Sequence, residues 1–251
     1  MSVRTRFSVW FMFPISADRP SGRTPITWAL AVGLMVIYAW QSWLGEQVHT
    51  LIASGGLIPA RLSSSTSWAV VGPGPQVMAL ITHLFLHEGW VHVLTNVWVL
   101  LLFGGAIELK LGRLQFIAFF IVVGMLSGVG HVLTYSDSVR ALVGASGAIS
   151  GLVGAYLYLY PRGRVSTLML PLPIRVKLPA WVYIALWFVV QCALVMVTVG
   201  REVSVASWAH IIGFGVGLIW TRLRFDGTAQ HDTVESSTIT EVRPWAGGKT
   251  P

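Results

Sequence analysis

Apolar residues in this chain come in long blocks, and charge is nearly absent inside them. Of 251 residues, 54% are hydrophobic and only 11% are charged, against roughly a quarter charged in an ordinary soluble domain. A helix needs about 20 apolar residues to cross the hydrocarbon of a bilayer. Six blocks approach that length, at about 26–44, 91–107, 115–135, 142–160, 179–199 and 203–223. The expected fold is all-α: a polytopic membrane protein with a six-helix transmembrane bundle. The fourth block is glycine-rich and short, and the weakest of the six as a span. The stretch 51–79 is apolar too, but Gly55, Gly56, Pro59, Gly72, Pro73, Gly74 and Pro75 interrupt it, so it reads as a structured or interfacial loop and not as a span.

A net charge of +7 raises the question of nucleic acid, and the positions of the charges answer it. With residue 1 on the inner face, only Arg61, Arg140 and Arg201 of the 17 lysines and arginines fall on the outer side. That is a positive-inside bias, which places both termini in the cytoplasm and makes anionic lipid headgroups, not nucleic acid, the partner of the basic residues. The pattern fits the plasma membrane of a bacterium. Residues 1–25 are then a cytoplasmic N-terminal segment, 26–224 the six-span membrane domain and 225–251 a polar, disordered cytoplasmic tail. The start carries arginines before a short apolar stretch, as a secretory signal does. Pro14 within it and Asp18 and Arg19 directly after it favour an interfacial segment over a cleaved signal. Cys192 is the single cysteine and lies within a block, so no disulfide is expected.

Polar side chains inside such blocks are costly and mark functional sites by default. His87, His92 and Asn96 cluster at the second block, Ser146 opens the fourth and His210 lies in the sixth. In a six-span topology the second, fourth and sixth spans all run inward from the outer surface. His210 then lies about 10 Å into its helix, and the others stand near the starts of theirs. One cavity opening outward would hold all of them. His92 and Asn96, four apart, share a helix face. Ser146 stands at a helix N-terminus, where unpaired N–H groups favour negative charge. These are the parts of an acyl-transfer site: Ser146 as nucleophile, His210 as general base and then acid, and His92, Asn96 and the Ser146 N–H as the oxyanion hole. No acid lies at their depth, so a two-residue dyad is expected. Gly213 and Gly217 follow His210 at i+3 and i+7, and Gly147, Gly151 and Gly154 stripe the fourth block, a pattern that lets two helices approach closely.

A zinc reading fails on spacing. Residues 87–92 read HEGWVH, one residue longer than HExxH, which turns the second imidazole about 140° from the first on a helix. His83 and His87 do align, but no Glu follows His83. No metal is expected. His131 reads as a packing histidine.

Four motifs, THLFLHEGWVHVLTN at 82–96, FGGAIELKLG at 103–112, GASGAISG at 144–151 and AHIIGFGVG at 209–217, resemble in order and spacing the rhomboid family of intramembrane serine proteases. PAWVYIALWFVVQ at 179–191 looks like the fifth span of bacterial members. The resemblance implies an endopeptidase, free of cofactors, that cleaves transmembrane protein substrates, with Ser146 and His210 as the dyad and His92, Asn96 and the Ser146 amide as the oxyanion hole. Gly144 would belong to the nucleophile motif, Gly147 to its close packing, Glu108 to the structure of the inner loop, and Gly213 and Gly217 to the contact between the fourth and sixth spans. Two positions depart from the family pattern. Met78 and Ala79 stand where many members carry Trp-Arg, and Ser150 stands where many carry an aromatic that packs on the histidine; here it either hydrogen-bonds His210 or leaves it looser. The competing expectation is a catalytically silent relative that binds membrane proteins. A small transporter is disfavoured by the lack of midplane acids.

Overall fold

The computed structural model describes residues 11–170, 174–198 and 204–226. Six helical rods form the bundle: α1 (Pro25–Trp43), a composite rod (Trp90–Leu111), α8 (Arg113–Thr134), α9 (Ser146–Leu159), α10 (Ala180–Thr198) and α11 (Ser204–Phe225). The composite rod joins α6 (Trp90–Val99) to α7 (Gly105–Leu111) through a π-helical turn at Leu100–Gly104, an irregularity frequent near functional sites. Three rods, Pro25–Trp43, Trp90–Leu111 and Arg113–Thr134, are long and apolar enough to cross a membrane, by length and composition.

How α1 presents its two faces explains the composition. Thr27, Ala31, Leu34, Tyr38 and Gln41 are buried, while Trp28, Val32, Val36, Trp40 and Trp43 are exposed. Both sets recur at helical spacing, and the large apolar side chains point outward. Water would penalise that face and lipid favours it. This is a membrane protein. Inside the bundle, Phe103, Phe116, Phe119, Phe120, Leu152 and Tyr156 fill the centre around α9, itself buried along nearly its whole length.

Glu108 ties two rods together. Its carboxylate, 2% exposed, accepts from Ile26 N (3.0 Å), Thr27 N (2.7 Å) and Thr27 Oγ1 (2.7 Å). Free N–H groups of α1's first turn thus meet a negative charge where the helix dipole favours one.

Four elements correct or fill in the expectations. The stretch 51–79 is built largely of short helices, α2 (Gln47–Gly55), α3 (Pro59–Ser63), α4 (Ser65–Val71) and α5 (Pro73–Thr82). Pro59 and Pro73 sit in first turns, where a missing N–H costs nothing. Hydrogen bonds fasten this loop around Met78 and Ala79. The Ala79 carbonyl meets His83 Nδ1 at 2.8 Å, and Thr82 Oγ1 donates to the Gly55 carbonyl at 2.6 Å. The fourth block is helical only from Ser146, because Leu142 forms an isolated antiparallel bridge with Leu57 and Gly144 takes φ +118°.

The third difference is a small antiparallel sheet beside the helices, of order β1-β2-β3, with β1 (Phe11–Ala17), β2 (Arg164–Leu170) and β3 (Ile174–Pro179). Phe11 faces Leu170 and Ala17 faces Val165. Part of the N-terminal segment is therefore a strand, and it is fixed to the bundle: Trp98 Nε1 donates to the Pro14 carbonyl at 2.8 Å, and the Phe13 and Trp98 rings lie 5.1 Å apart. Fourth, α11 runs to Phe225, and Asp226 accepts from the Tyr158 hydroxyl (2.8 Å) and from Arg222 Nε (2.9 Å). Ordered chain thus enters the stretch expected to be a disordered tail. The rest of that tail, 227–251, lies outside the described residues, as do 1–10 and Arg201.

Candidate active site

The site is built around the entry to α9. Ser146 is its first residue, half-buried, with free backbone N–H groups in the turn it opens. Ahead of it, Gly144 N donates to the His83 carbonyl at 2.8 Å, which pins the approach to α5 and the turn after it. Gly144 has to be glycine on two counts. Its φ of +118° is a region that side chains avoid, and a Cβ would stand 2.7 Å from His92 Nε2. The His92 ring therefore lies directly over the backbone two residues before Ser146, with Asn96 Nδ2 just behind it at 3.6 Å from the same point.

Further groups hold that pair. Asn96 Nδ2 lies 2.9 Å from His87 Nε2, and the His87 and His92 rings meet edge-on at 5.0 Å. The His87 backbone is clamped from α1: its N–H donates to Gln41 Oε1 at 3.1 Å and its carbonyl accepts from Gln41 Nε2 at 2.5 Å. Gln41 and His87 are both buried, so their polar atoms need these partners.

His210 is delivered by α11, and the glycines set how near it comes. A Cβ on Gly213 would collide with the Gly147 carbonyl, and one on Gly217 with the Gly151 carbonyl. The two backbones are in contact beside the serine and the histidine. Ser127 of α8 closes the junction, its Oγ donating to the Ala209 carbonyl at 2.7 Å, where a Cβ on Gly147 would also collide with it. On its other side the His210 ring has a partner on α10: Nδ1 lies 3.1 Å from Gln191 Oε1. Ser150, buried, sits in the adjacent wall.

Ser146, His210, Asn96, Ser150 and Gln191 line one cavity of about 320 Å³. Apart from Thr95, its remaining walls are aromatic or aliphatic: Tyr183 and Trp187 from α10, Trp98, Val99 and Phe103 from the composite rod, Ile149 and Val153 from α9, and Phe13 and Pro14 from β1. The expected site residues Ser146, His210 and Asn96 thus share a cavity, His92 stands outside its lining and over Gly144, and Gly147, Gly213 and Gly217 form the contact between α9 and α11. The expectations did not include Gln191, Gln41, His87 as Asn96's partner, Ser127 or the β1 wall. Gln191 had a signal, an amide inside an apolar helix at i+4 from Trp187 and i+8 from Tyr183. The β1 wall had none, because its pairing joins residues far apart in the chain.

A hydroxyl at a helix N-terminus and an imidazole from another helix line this cavity together, groups of the kinds that serve as nucleophile and base. The Rhomboid domain matches residues 74–227, more than half of the chain. The chain belongs to the rhomboid family. All the polar residues of the cavity fall within the rhomboid domain, while α1 and β1 precede it. YdcA of Bacillus subtilis is 41% identical over 81 residues, covering 32% of this chain and 40% of its own. RHOMBOID-like protein 5 of Arabidopsis thaliana is 31% identical over 114 residues, 45% of this chain and 34% of its own. The rhomboid protease GlpG of Salmonella paratyphi A is 26% identical over 209 residues, 82% of this chain and 65% of its own. The chain thus spans less than two thirds of the length of each of these relatives.

Proposed function

We propose that this rhomboid is an intramembrane serine endopeptidase, cleaving transmembrane protein substrates within or near the bilayer by a Ser146–His210 dyad. The observation that carries the reading is that a serine at a helix N-terminus and a histidine from another helix line one cavity with Asn96, inside a bundle of apolar helices where polar groups mark function. The name of the Salmonella relative, a rhomboid protease, supports it.

In this reading His210 Nε2 takes the proton of Ser146 Oγ as the oxygen attacks the scissile carbonyl. Charge that develops on the carbonyl oxygen meets His92, Asn96 and the Ser146 N–H. His210 then gives its proton to the leaving amine, and water, activated by the same imidazole, hydrolyses the acyl-enzyme. All six rods span the membrane, with both termini cytoplasmic and the cavity opening toward the outer face, in a plasma membrane of bacterial type. Anionic lipids border the inner, arginine-rich side.

Full-length protein in detergent, treated with a fluorophosphonate probe and with a reporter transmembrane substrate, tests this. Labelling and cleavage are expected for the unaltered chain and neither for Ser146→Ala or His210→Ala. Asn96→Ala is expected to cost about 10²–10³ in turnover, as losing one oxyanion donor does. Intact cleavage by Ser146→Ala would overturn the reading, and a folded chain with no Ser146-dependent labelling would point instead to a silent binding relative.

A further inference from the structure

A dyad of this kind has an open requirement. If Nε2 of His210 is to receive a proton, the ring must carry its own proton on Nδ1 and keep Nε2 bare, and some second group has to fix that choice. In many serine hydrolases a carboxylate does so, but no Asp or Glu lines this cavity among the described residues. The geometry points to Gln191 as the positioning residue for His210, an inference that rests on the reading of Ser146 and His210 as the dyad.

Gln191 Oε1 lies 3.1 Å from His210 Nδ1. An amide oxygen only accepts, so Nδ1 is the donor in this contact and the proton of the neutral ring is held there. That leaves the Nε2 lone pair for the serine. The opposite arrangement, with the amide nitrogen donating to Nδ1, would place the proton on Nε2 and disable the base.

The packing fixes where the amide can be. Tyr183, Trp187 and Gln191 succeed one another at intervals of four on α10, so they form the stripe that faces the cavity. The Trp187 and Phe188 rings lie 6.1 Å and 5.0 Å from the ring of Phe214, one turn beyond His210 on α11. This aromatic contact holds the two helices in register, so that Oε1 falls on Nδ1.

Fluorophosphonate labelling of the full-length protein reads the effect directly. In that reaction the Ser146 Oγ–phosphorus bond forms, the phosphorus–fluorine bond breaks, the serine proton passes to His210 Nε2 and fluoride leaves into water. Gln191→Met keeps length and packing but has no acceptor oxygen. It is expected to lower the maximal labelling rate roughly 10- to 100-fold, with half-saturating probe concentration and denaturation midpoint unchanged. Gln191→Glu keeps an acceptor and is expected to restore most of the rate. Should Gln191→Met not fold, ¹⁵N NMR of the histidines of the unaltered chain, assigned by a His210→Gln difference spectrum, is expected to show the proton on Nδ1. Labelling by Gln191→Met at the unaltered rate, equal loss in both folded variants, or an Nε2-protonated ring would each overturn the inference while leaving the dyad standing. Absence of Ser146-dependent labelling in the unaltered chain would overturn both.

Discussion

At Gly144 the backbone is held at φ +118° under the His92 ring, so one methyl group meets two obstacles at once. The left-handed conformation costs an L-residue about 1–3 kcal/mol, and the new Cβ would displace the imidazole or the loop. Gly144→Ala is expected to destabilise by about that amount and to cut fluorophosphonate labelling at least tenfold, read as labelling kinetics beside a denaturation curve. Loss of stability with labelling untouched would show that His92 has no part in stabilising charge. Residues of this kind were legible in the sequence because each is expensive where it stands: an imidazole, a hydroxyl or an amide in an apolar run, or a glycine framing one. Gln41 and Gln191 are equally expensive in lipid, and their sequence positions alone do not pair them. Which backbone Gln41 clamps, and which ring Gln191 meets, depends on the rotation of α1 and α10 about their axes, which a nearly all-apolar helix does not encode.

Elements carry two further expectations. Glu108 offers one carboxylate to three donors at the start of α1, in a place water does not reach. Glu108→Ala strands those donors, and the expected loss is about 2–4 kcal/mol, measured as the denaturation midpoint, with the labelling rate of the folded fraction unchanged. The strand β1 is tested by cross-linking. In a Cys192→Ser background, Phe13→Cys with Leu168→Cys joins facing residues and is expected to form a disulfide readily. Phe13→Cys with Val165→Cys, out of register, is not. Equal cross-linking of both pairs would rule out the strand pairing and the cavity wall it forms. The long helices were legible because length and apolarity are local properties. The sheet was not, since strand pairing across most of the chain leaves no periodic trace in seven residues, and the apolar FMFPISA of β1 reads equally as an interfacial segment. The late start of α9 escaped for a similar reason: Leu142 is apolar enough for a helix, and it is the bridge to Leu57 that keeps it extended.

For the molecule as a whole, the decisive contact is the backbone-to-backbone meeting of α9 and α11, since each carries one member of the proposed dyad. Gly213 and Gly217 abut the Gly147 and Gly151 carbonyls, and carbonyls cannot rotate away as side chains can. A methyl group on either glycine must push the helices apart, which costs about 1–3 kcal/mol by overpacking. It also separates Ser146 from His210, and proton transfer needs those two within hydrogen-bond reach. Gly215 lies on the same helix with nothing within 4 Å of a Cβ built on it. It therefore serves as the control for helix propensity, which alanine would improve. Gly213→Ala and Gly217→Ala are expected to lose at least 90% of labelling, while Gly215→Ala keeps both labelling and stability; the checks are labelling rate and denaturation midpoint on the three variants side by side. If Gly213→Ala folds and labels at the unaltered rate, close approach of the two backbones does not set the distance between hydroxyl and imidazole. In that case the Gln191 contact from α10 and the Ser127 contact from α8 would have to hold His210 in place by themselves.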